Sequence, residues 1–327
     1  MRSERLRLAL ETGAFRPGAE VLVTGAVAAD DLSALPGTLT VVQGFRPDHD
    51  ALAARGLRVL PEMTEGRFDA ALVCVPRSRA AAEAAVSAAS AAVRPGGPIA
   101  VDGQKEDGIE PLLKALRGRV DLGEVLSKAH GRLAVFPAGP GLGDWAARDA
   151  VLPDGWVTRP GVFSADGPDR GSMLLAAALP DRMKGKGADL GAGWGFLSRA
   201  VLARDGVTHL DLVEADHAAL DCARANIADP RAAFHWADAT VWRAPRLLDF
   251  VVMNPPFHRG RAADPALGEA FLAAAARSLA PDGTLWLVAN RGLPYDRALN
   301  ALFREVQDIG ADPSFRLIRA ARPLSRR

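Results

Sequence analysis

Short apolar runs recur along the first half of the chain, at Val21–Val23, Thr40–Val42, Arg58–Leu60, Ala70–Val75 and Ile99–Val101. Runs this brief, bounded by charged or turn-forming residues, read as buried strands. Helical patterns fill the intervals. The clearest is Arg79–Val93, stopped by Arg94-Pro95-Gly96-Gly97, since proline cannot continue a helix and glycine accepts the turn that ends one. The N-terminal segment MRSERLRLALETGAF alternates charge with leucine. It predicts an amphipathic helix and not a signal peptide, which needs a continuous apolar core. Ser127–Phe136 is expected to be a last strand region, and the stretch Pro137–Gly143 a linker.

The second half repeats this rhythm. Strands are predicted at Ala188–Leu190, His209–Glu214, Ala233–Trp236, Phe250–Met253 and Thr284–Ala289, and helices at Gly195–Arg204, Ala218–Ile227 and Leu267–Leu279. Strands alternating with helices favour parallel sheets covered on both faces. The helix–Pro–Asp–Gly–strand run at Leu279–Leu287 echoes the helix–Pro–Gly–Gly–strand run at Val93–Val101. The expected fold is therefore α/β, with two tandem Rossmann-like domains over residues 1–143 and 144–327, related by an internal duplication.

Length and composition agree with this division. A chain of 327 residues suggests two domains, and 49% hydrophobic with 24% charged residues is ordinary for a globular protein. The net charge of +1 excludes a strongly basic body, so nucleic-acid binding would rest on local patches. One such patch is the C-terminal run of Arg316, Arg319, Arg322, Arg326 and Arg327, which has no acid among them. It reads either as a solvated tail or as a phosphate-contacting one. Cys74 and Cys222 are the only cysteines and form no C-x-x-C pair. That argues against a disulfide framework or a cysteine zinc site and for a reducing cytoplasm. No metal is expected, and no stretch suits a membrane span.

The candidate chemistry begins at Ala188-Asp189-Leu190-Gly191-Ala192-Gly193-Trp194-Gly195-Phe196. An apolar strand ends in an acid, glycines alternate, and a helix follows. Such glycines let the backbone turn tightly and approach a ligand, at the carboxyl end of a strand where open α/β sheets bind. Alone, the loop fits a dinucleotide site or a mere strand–helix turn. The G-x-G-x-G spacing behind an acid favours S-adenosylmethionine, with Asp189, Gly191 and Gly193 as contacts. Glu214 ends the next strand, where an acid can accept both ribose hydroxyl hydrogens; dinucleotide enzymes use the same device. Asp238, after the third strand, could accept from an adenine amino group or be a turn aspartate. Ala215 and Ala239 stand beside these acids and are counted with them as cofactor contacts.

The fourth strand ends in Val252-Met253-Asn254-Pro255-Pro256-Phe257-His258. Asn254 supplies a side-chain carbonyl. Pro255 lacks an N–H, and two successive prolines stiffen the loop, so the Pro255 carbonyl can serve as a second acceptor. Two acceptors can hold both hydrogens of a planar NH2 group, and Phe257 offers a face for stacking its ring. The expected catalytic set is thus Asn254, Pro255, Pro256 and Phe257, with Asn254 also bordering the cofactor. Its task is to align nitrogen, methyl carbon and sulfur and to stabilise the positive charge that develops on nitrogen. His258 is adjacent, as a structural or a substrate-contacting residue.

With these motifs, residues 156–327 resemble the class I methyltransferases and, more narrowly, the ribosomal RNA guanine-N2 methyltransferases of the RsmC type, which act on the small ribosomal subunit. The resemblance rests on the N-P-P-F-H loop, the glycine loop and an upstream segment, Pro160-Gly161-Val162-Phe163-Ser164 followed by Asp169-Arg170-Gly171-Ser172. In that family the upstream element caps the cofactor pocket, which adds Asp169 to the cofactor contacts. Pro168 stands where an apolar residue is usual, and Glu214 where aspartate is common. Relatives also carry a first domain that has lost its cofactor site. Here Thr24-Gly25-Ala26-Val27 has one glycine, and Pro76-Arg77-Ser78-Arg79 has no Asn-Pro-Pro. The first domain is then implied to dock substrate or support the second, with Arg77, Arg79, Lys105, Lys128 and Arg132 as candidate RNA contacts.

The implied activity is methylation of a guanosine N2 amine in ribosomal RNA, naked or in a small-subunit particle, by a cytoplasmic monomer or dimer. N-P-P-aromatic loops also serve methylation of protein glutamine, adenine or small molecules. A non-catalytic RNA-binding or ribosome-assembly module is a further alternative.

Overall fold

The computed structural model describes residues 2–63, 66–256, 258–259 and 262–324, with backbone alone at 258–259 and 262–263. Contacts divide the chain into two compact units. The first is Met1–Ala150 with Arg159–Gly161, the second Val151–Thr158 with Val162–Arg327. The first unit runs past Gly143, where punctuation placed the boundary, because Leu142 and Trp145 are buried in its core.

In the first unit helix α1 (Arg2–Glu11) precedes strands β1 (Glu20–Thr24) and β2 (Thr38–Val42). Then come α2 (Arg46–Ala54), β3 (Arg58–Leu60), β4 (Ala70–Cys74), α3 (Arg79–Ala92), β5 (Pro98–Gln104), α4 (Ile109–Arg117), β6 (Leu126–Lys128) and β7 (Gly131–Pro137). The sheet order is β3-β2-β1-β4-β5-β7-β6. β1 to β5 are parallel, while β6 and β7 form an antiparallel hairpin. The single strand region expected at Ser127–Phe136 is therefore two strands. Ser78 caps α3 by accepting from Ala81 N, and the alanine-rich face of that helix packs Ala82, Val86 and Ala89 against Leu22, Val73 and Val101.

Two-residue strands β8 (Ala150–Val151) and β9 (Val157–Thr158) follow. The second unit then runs α5 (Arg170–Ala178), β10 (Arg182–Leu190), α6 (Phe196–Leu202), β11 (Asp205–Glu214), α7 (His217–Asn226), β12 (Ala232–Trp236) and β13 (Leu248–Met253). It closes with β14 (His258–Arg259), β15 (Ala262–Ala263), α8 (Pro265–Ser278), β16 (Leu279–Asn290), α9 (Tyr295–Leu302), β17 (Phe303–Ala311) and β18 (Phe315–Pro323). Its sheet order is β12-β11-β10-β13-β16-β18-β17, the same as in the first unit. Two copies of one architecture are present, as the echo of helix–turn–strand runs suggested.

Leu212, Phe250 and Val252 pack with Leu175 and Val201 on one face of this sheet. Val213, Val251, Met253 and Leu287 pack with Leu272 and Leu299 on the other. Alternation along β11 and β13 thus feeds two cores, which leaves Phe250–Met253 a continuous apolar run and Leu210–Val213 one broken by Asp211.

One expectation is overturned at the C-terminus. Arg316, Arg319 and Arg322 lie in β18, an antiparallel strand paired with β16 and β17, not in a tail. Arg316 pairs with Asp296 and Asp308, and Arg319 and Arg322 with Glu305. Glu305 and Asp308 lie across the hairpin on β17, and Asp296 lies on α9. Arg326 and Arg327 lie outside the described residues. Among the described residues no helix is long and apolar enough to cross a membrane. Both cysteines are buried, one in each unit.

Candidate active site

The carboxyl ends of β10 and β13 open onto one cleft. Asp189, Gly191, Ala192, Gly193 and Trp194 line it from the glycine turn, Asn254 from the loop after β13, and Phe163, Ser164, Asp169 and Ser172 from the upstream element. The structure thus brings together Asp189, Gly191, Gly193, Asp169 and Asn254, which are spread over more than eighty residues of sequence.

The glycine turn is tied down on both sides. Gly191 N and Ala192 N donate to the Val213 carbonyl, which fixes the turn to the end of β11. Gly193 adopts a φ of 55°, and a Cβ there would meet nothing within 4 Å. The left-handed backbone favours glycine, and the open space beside it lets a ligand approach the bare chain. Behind the turn, Trp194 Nε1 donates to the Phe163 carbonyl at 3.0 Å. Trp156, Trp194 and Phe196 pack edge to face or tilted, with centroids 5.1 to 5.9 Å apart. Asn226 on α7 donates to the carbonyls of Val157 and Trp194. These aromatic and amide supports escaped the sequence reading, because their partners are remote in the chain. Phe163 itself is 65% exposed at the cleft.

Asp189 is buried beneath the turn, 1% exposed. Its Oδ2 accepts from Ser198 Oγ at 2.6 Å, while Oδ1 is buried without a hydrogen-bond partner. Burial, reinforced by the nearby Glu214 charge, pushes this carboxyl up to about 7. A buried acceptor with nothing to accept is costly and marks a place for a donor. Ser198 was not anticipated; its one signal was a hydroxyl on the first turn of the helix that follows the glycines.

Glu214 does not line the cleft directly. Its Oε2 accepts from Gly193 N at 2.7 Å and its Oε1 from Asp216 N at 2.8 Å. Burial raises its carboxyl. Each oxygen keeps a further lone pair for a hydroxyl. Asp216 caps α7 by accepting from Ala218 N. The Ala215 carbonyl accepts from Trp236 Nε1. Asp238 Oδ1 accepts from Thr240 N and Thr240 Oγ1, so this aspartate closes a turn, and Ala239 is buried beside it. Neither alanine, nor Asp238, lines the cleft.

At the far wall, Asn254 is half-buried, Pro255 buried and Pro256 exposed. Asn254 Nδ2 donates to Asp169 Oδ2 and to Ser172 Oγ, each at 2.8 Å. Asp169 also caps α5, accepting from Ser172 N at 2.9 Å. Phe257 lies outside the described residues, and only the backbone of His258 is described. The cleft therefore offers a ligand a bare glycine backbone, a buried carboxylate below it and an asparagine opposite.

In the first unit, four of the five proposed RNA-contacting side chains already hold acids. Arg77 pairs with Asp107, Arg79 with Glu83, Lys128 with Glu4 and Arg132 with Glu110. The surface is less positive than the count of bases implied.

Comparison with known proteins gives a consistent set of likenesses. The methyltransferase small domain family matches residues 155–319. The ribosomal RNA small subunit methyltransferase C of Pseudomonas paraeruginosa is 34% identical over 273 residues, 79% of this chain and 80% of that protein. The ribosomal RNA large subunit methyltransferase G of the same species is 30% identical over 305 residues, 85% of this chain and 79% of that protein. Among solved structures, the T. thermophilus 16S rRNA N2 methyltransferase (RsmC), in complex with AdoMet and guanosine, matches with a TM-score of 0.81. It is 25% identical, and the match covers 98% of this chain and 91% of that one.

Proposed function

The chain belongs to the methyltransferase small domain family, among ribosomal RNA methyltransferases of the RsmC type, and we propose that it methylates the N2 amine of a guanosine in small-subunit ribosomal RNA. The methyl donor is S-adenosylmethionine. One observation carries the reading: Asn254 and the glycine turn face one cleft, over a buried carboxylate oxygen that lacks a donor.

The residues present fit this cofactor. Asp189 Oδ1 is placed to take a donor from its charged end, and Glu214 already folds back on the glycine turn with lone pairs to spare for ribose hydroxyls. Gly191 and Gly193 leave room for its approach. Asp169 adds a contact at the cleft wall, whereas Ala215, Asp238 and Ala239 lie outside its lining and would touch the cofactor past Glu214, with Asp238 the weakest because its Oδ1 already accepts from Thr240. When bound, the cofactor supplies a methyl group already activated on a sulfonium.

The remaining work belongs to the chain. Asn254 Oδ1 and the Pro255 carbonyl accept the two hydrogens of the guanine amine, which aims its lone pair across the cleft. As the N–CH3 bond forms and the S–CH3 bond breaks, leaving S-adenosylhomocysteine, positive charge grows on that nitrogen, and the same two oxygens stabilise it until one amine proton is lost to solvent. Pro255 and Pro256 hold the loop stiff, and Phe257 stacks on the base. The target base must leave its stack to enter. The first unit is proposed to dock the RNA, by shape and phosphate contacts.

The likeness to a large-subunit methyltransferase keeps a second substrate in view. Purified protein should be incubated with labelled S-adenosylmethionine and small subunits, large subunits or the naked RNAs, and the product mapped by nuclease digestion and mass spectrometry. One N2-methylguanosine in small-subunit RNA is expected. The same product in large-subunit RNA alone would move the assignment, and no methylated RNA of any kind would overturn it.

A further inference from the structure

We infer that Asp169 and Ser172 are positioning residues for methyl transfer, acting by fixing which way the Asn254 amide faces. The inference rests on the reading that Asn254 accepts from the target amine.

An asparagine amide has one face that donates and one that accepts, and a half-turn exchanges them. The reaction needs the accepting face toward the amine. Both hydrogens of Asn254 Nδ2 are used: one acceptor is Asp169 Oδ2, the other Ser172 Oγ, each at 2.8 Å. An ionised carboxylate has no proton to give. Turning the amide over would therefore set Asn254 Oδ1 against a carboxylate oxygen and abandon both bonds. Asp169 decides the orientation, and Ser172, whose hydroxyl could serve either face, follows it.

The local sequence is built for this. Asp169 has extended backbone angles and caps α5, so its Oδ2 is held by Ser172 N as well as by Asn254. A Cβ at Gly171 would lie 3.0 Å from that same oxygen, so the residue between the two acceptors leaves them space. The two acceptors sit on the first turn of a helix, 82 and 85 residues before the amide they orient. Donation to a carboxylate also polarises the amide and draws negative charge onto Oδ1, where charge on the substrate nitrogen is to be stabilised. On this account Asp169 serves the amine side of the cleft, and its part in cofactor binding is secondary.

Asp169→Asn separates the two roles. Asparagine keeps the helix cap but can present either face to Asn254, so the orientation is no longer enforced. Turnover with saturating RNA should fall about ten- to a hundredfold, while S-adenosylmethionine affinity by calorimetry and the melting temperature stay close to those of the parent. Ser172→Ala should give a smaller fall of the same kind. In the Asn254→Ala background, Asp169→Asn should cost less than about twofold, because residues acting as a unit are not additive. In a 15N-labelled sample, the paired Asn254 side-chain NH2 signals should be protected from exchange and lose that protection in Asp169→Asn. An equal loss in both backgrounds, or a collapse of cofactor affinity with turnover kept, overturns the inference. Near-parental turnover of Asn254→Ala would instead sink the reading on which it rests.

Discussion

The two units share one strand order, but in the second the cleft at the glycine turn lies over a buried acceptor, Asp189 Oδ1, that lacks a partner. The difference is visible position by position. Gly25 N donates to the Val42 carbonyl in the first unit, and Gly191 N to the Val213 carbonyl in the second. The next residue on those strands is Gln43 in one and Glu214 in the other. Each accepts from the backbone N–H two residues on, Phe45 or Asp216, at 2.8 Å. Gln43 uses its remaining group by donating to the Ala26 carbonyl, whereas Glu214 accepts from Gly193 with its second oxygen. By the register of β1 with β4 and of β10 with β13, Cys74 stands where the second unit has Asn254. Cys74 is buried, and burial pushes its thiol up to about 12.

The helix before the first strand diverges most. In the second unit it brings Asp169 and Ser172 to Asn254. In the first it brings Arg5, fully buried, to Asp102, with bonds at 2.7 and 2.9 Å, and Arg5 also donates to the Lys128 and Ala129 carbonyls. The helix before the first strand thus carries an ion pair in one unit and the acceptors of an asparagine amide in the other. The units therefore differ by more than their glycines: in the first, Gln43 and the Arg5–Asp102 pair are satisfied internally.

The largest expected effect breaks the comparison on the structural side. Arg5→Ala takes both Arg5 hydrogen bonds from buried Asp102 and leaves it Arg2 alone, which costs about 3 kcal/mol. Denaturant unfolding should show an early transition of the first unit; a single unchanged transition would contradict this. On the catalytic side, Asn254→Ala should lower methyl transfer about 10²- to 10³-fold, with cofactor affinity by calorimetry retained.

Glycine substitutions should sharpen the contrast at a smaller scale. Gly193→Ala strains a left-handed residue by about 1–2 kcal/mol and fills the approach to the turn, so cofactor affinity should fall about tenfold or more. Gly25→Ala, whose Cβ would lie 2.7 Å from the Cys74 carbonyl, should lower the melting temperature and leave cofactor affinity alone.

The smallest effect concerns pH. Asp189 stands at about 7 when folded, above an unfolded value of about 4. Between these values the folded state holds the extra proton, so this group's contribution to stability falls as pH rises through that window. A cationic cofactor favours the ionised carboxylate. Affinity should therefore weaken about five- to tenfold from pH 8 to about pH 6, with a proton released on binding near neutrality. Calorimetry in buffers of different ionisation enthalpy reads that proton, and Asp189→Asn should abolish it.

What the sequence determined by itself was local. Alternation of apolar runs with helical patterns placed β1, β4 and β13 closely, because burial on both faces of a parallel sheet leaves an apolar signature, and it placed the carboxyl ends of β10 and β11 but not their polar starts. The glycine turn and the Asn-Pro-Pro corner were likewise legible, since their conformations restrict residue type at consecutive positions. Only the tertiary structure decided who meets whom. It turned the arginines of a supposed tail into a strand facing Asp296, Asp308 and Glu305. It set Ser198 on Asp189 and both Asp169 and Ser172 on Asn254. Hydrogen bonds and ion pairs act over a few ångströms in space, and residues far apart in the chain come within that range only when the sheet closes.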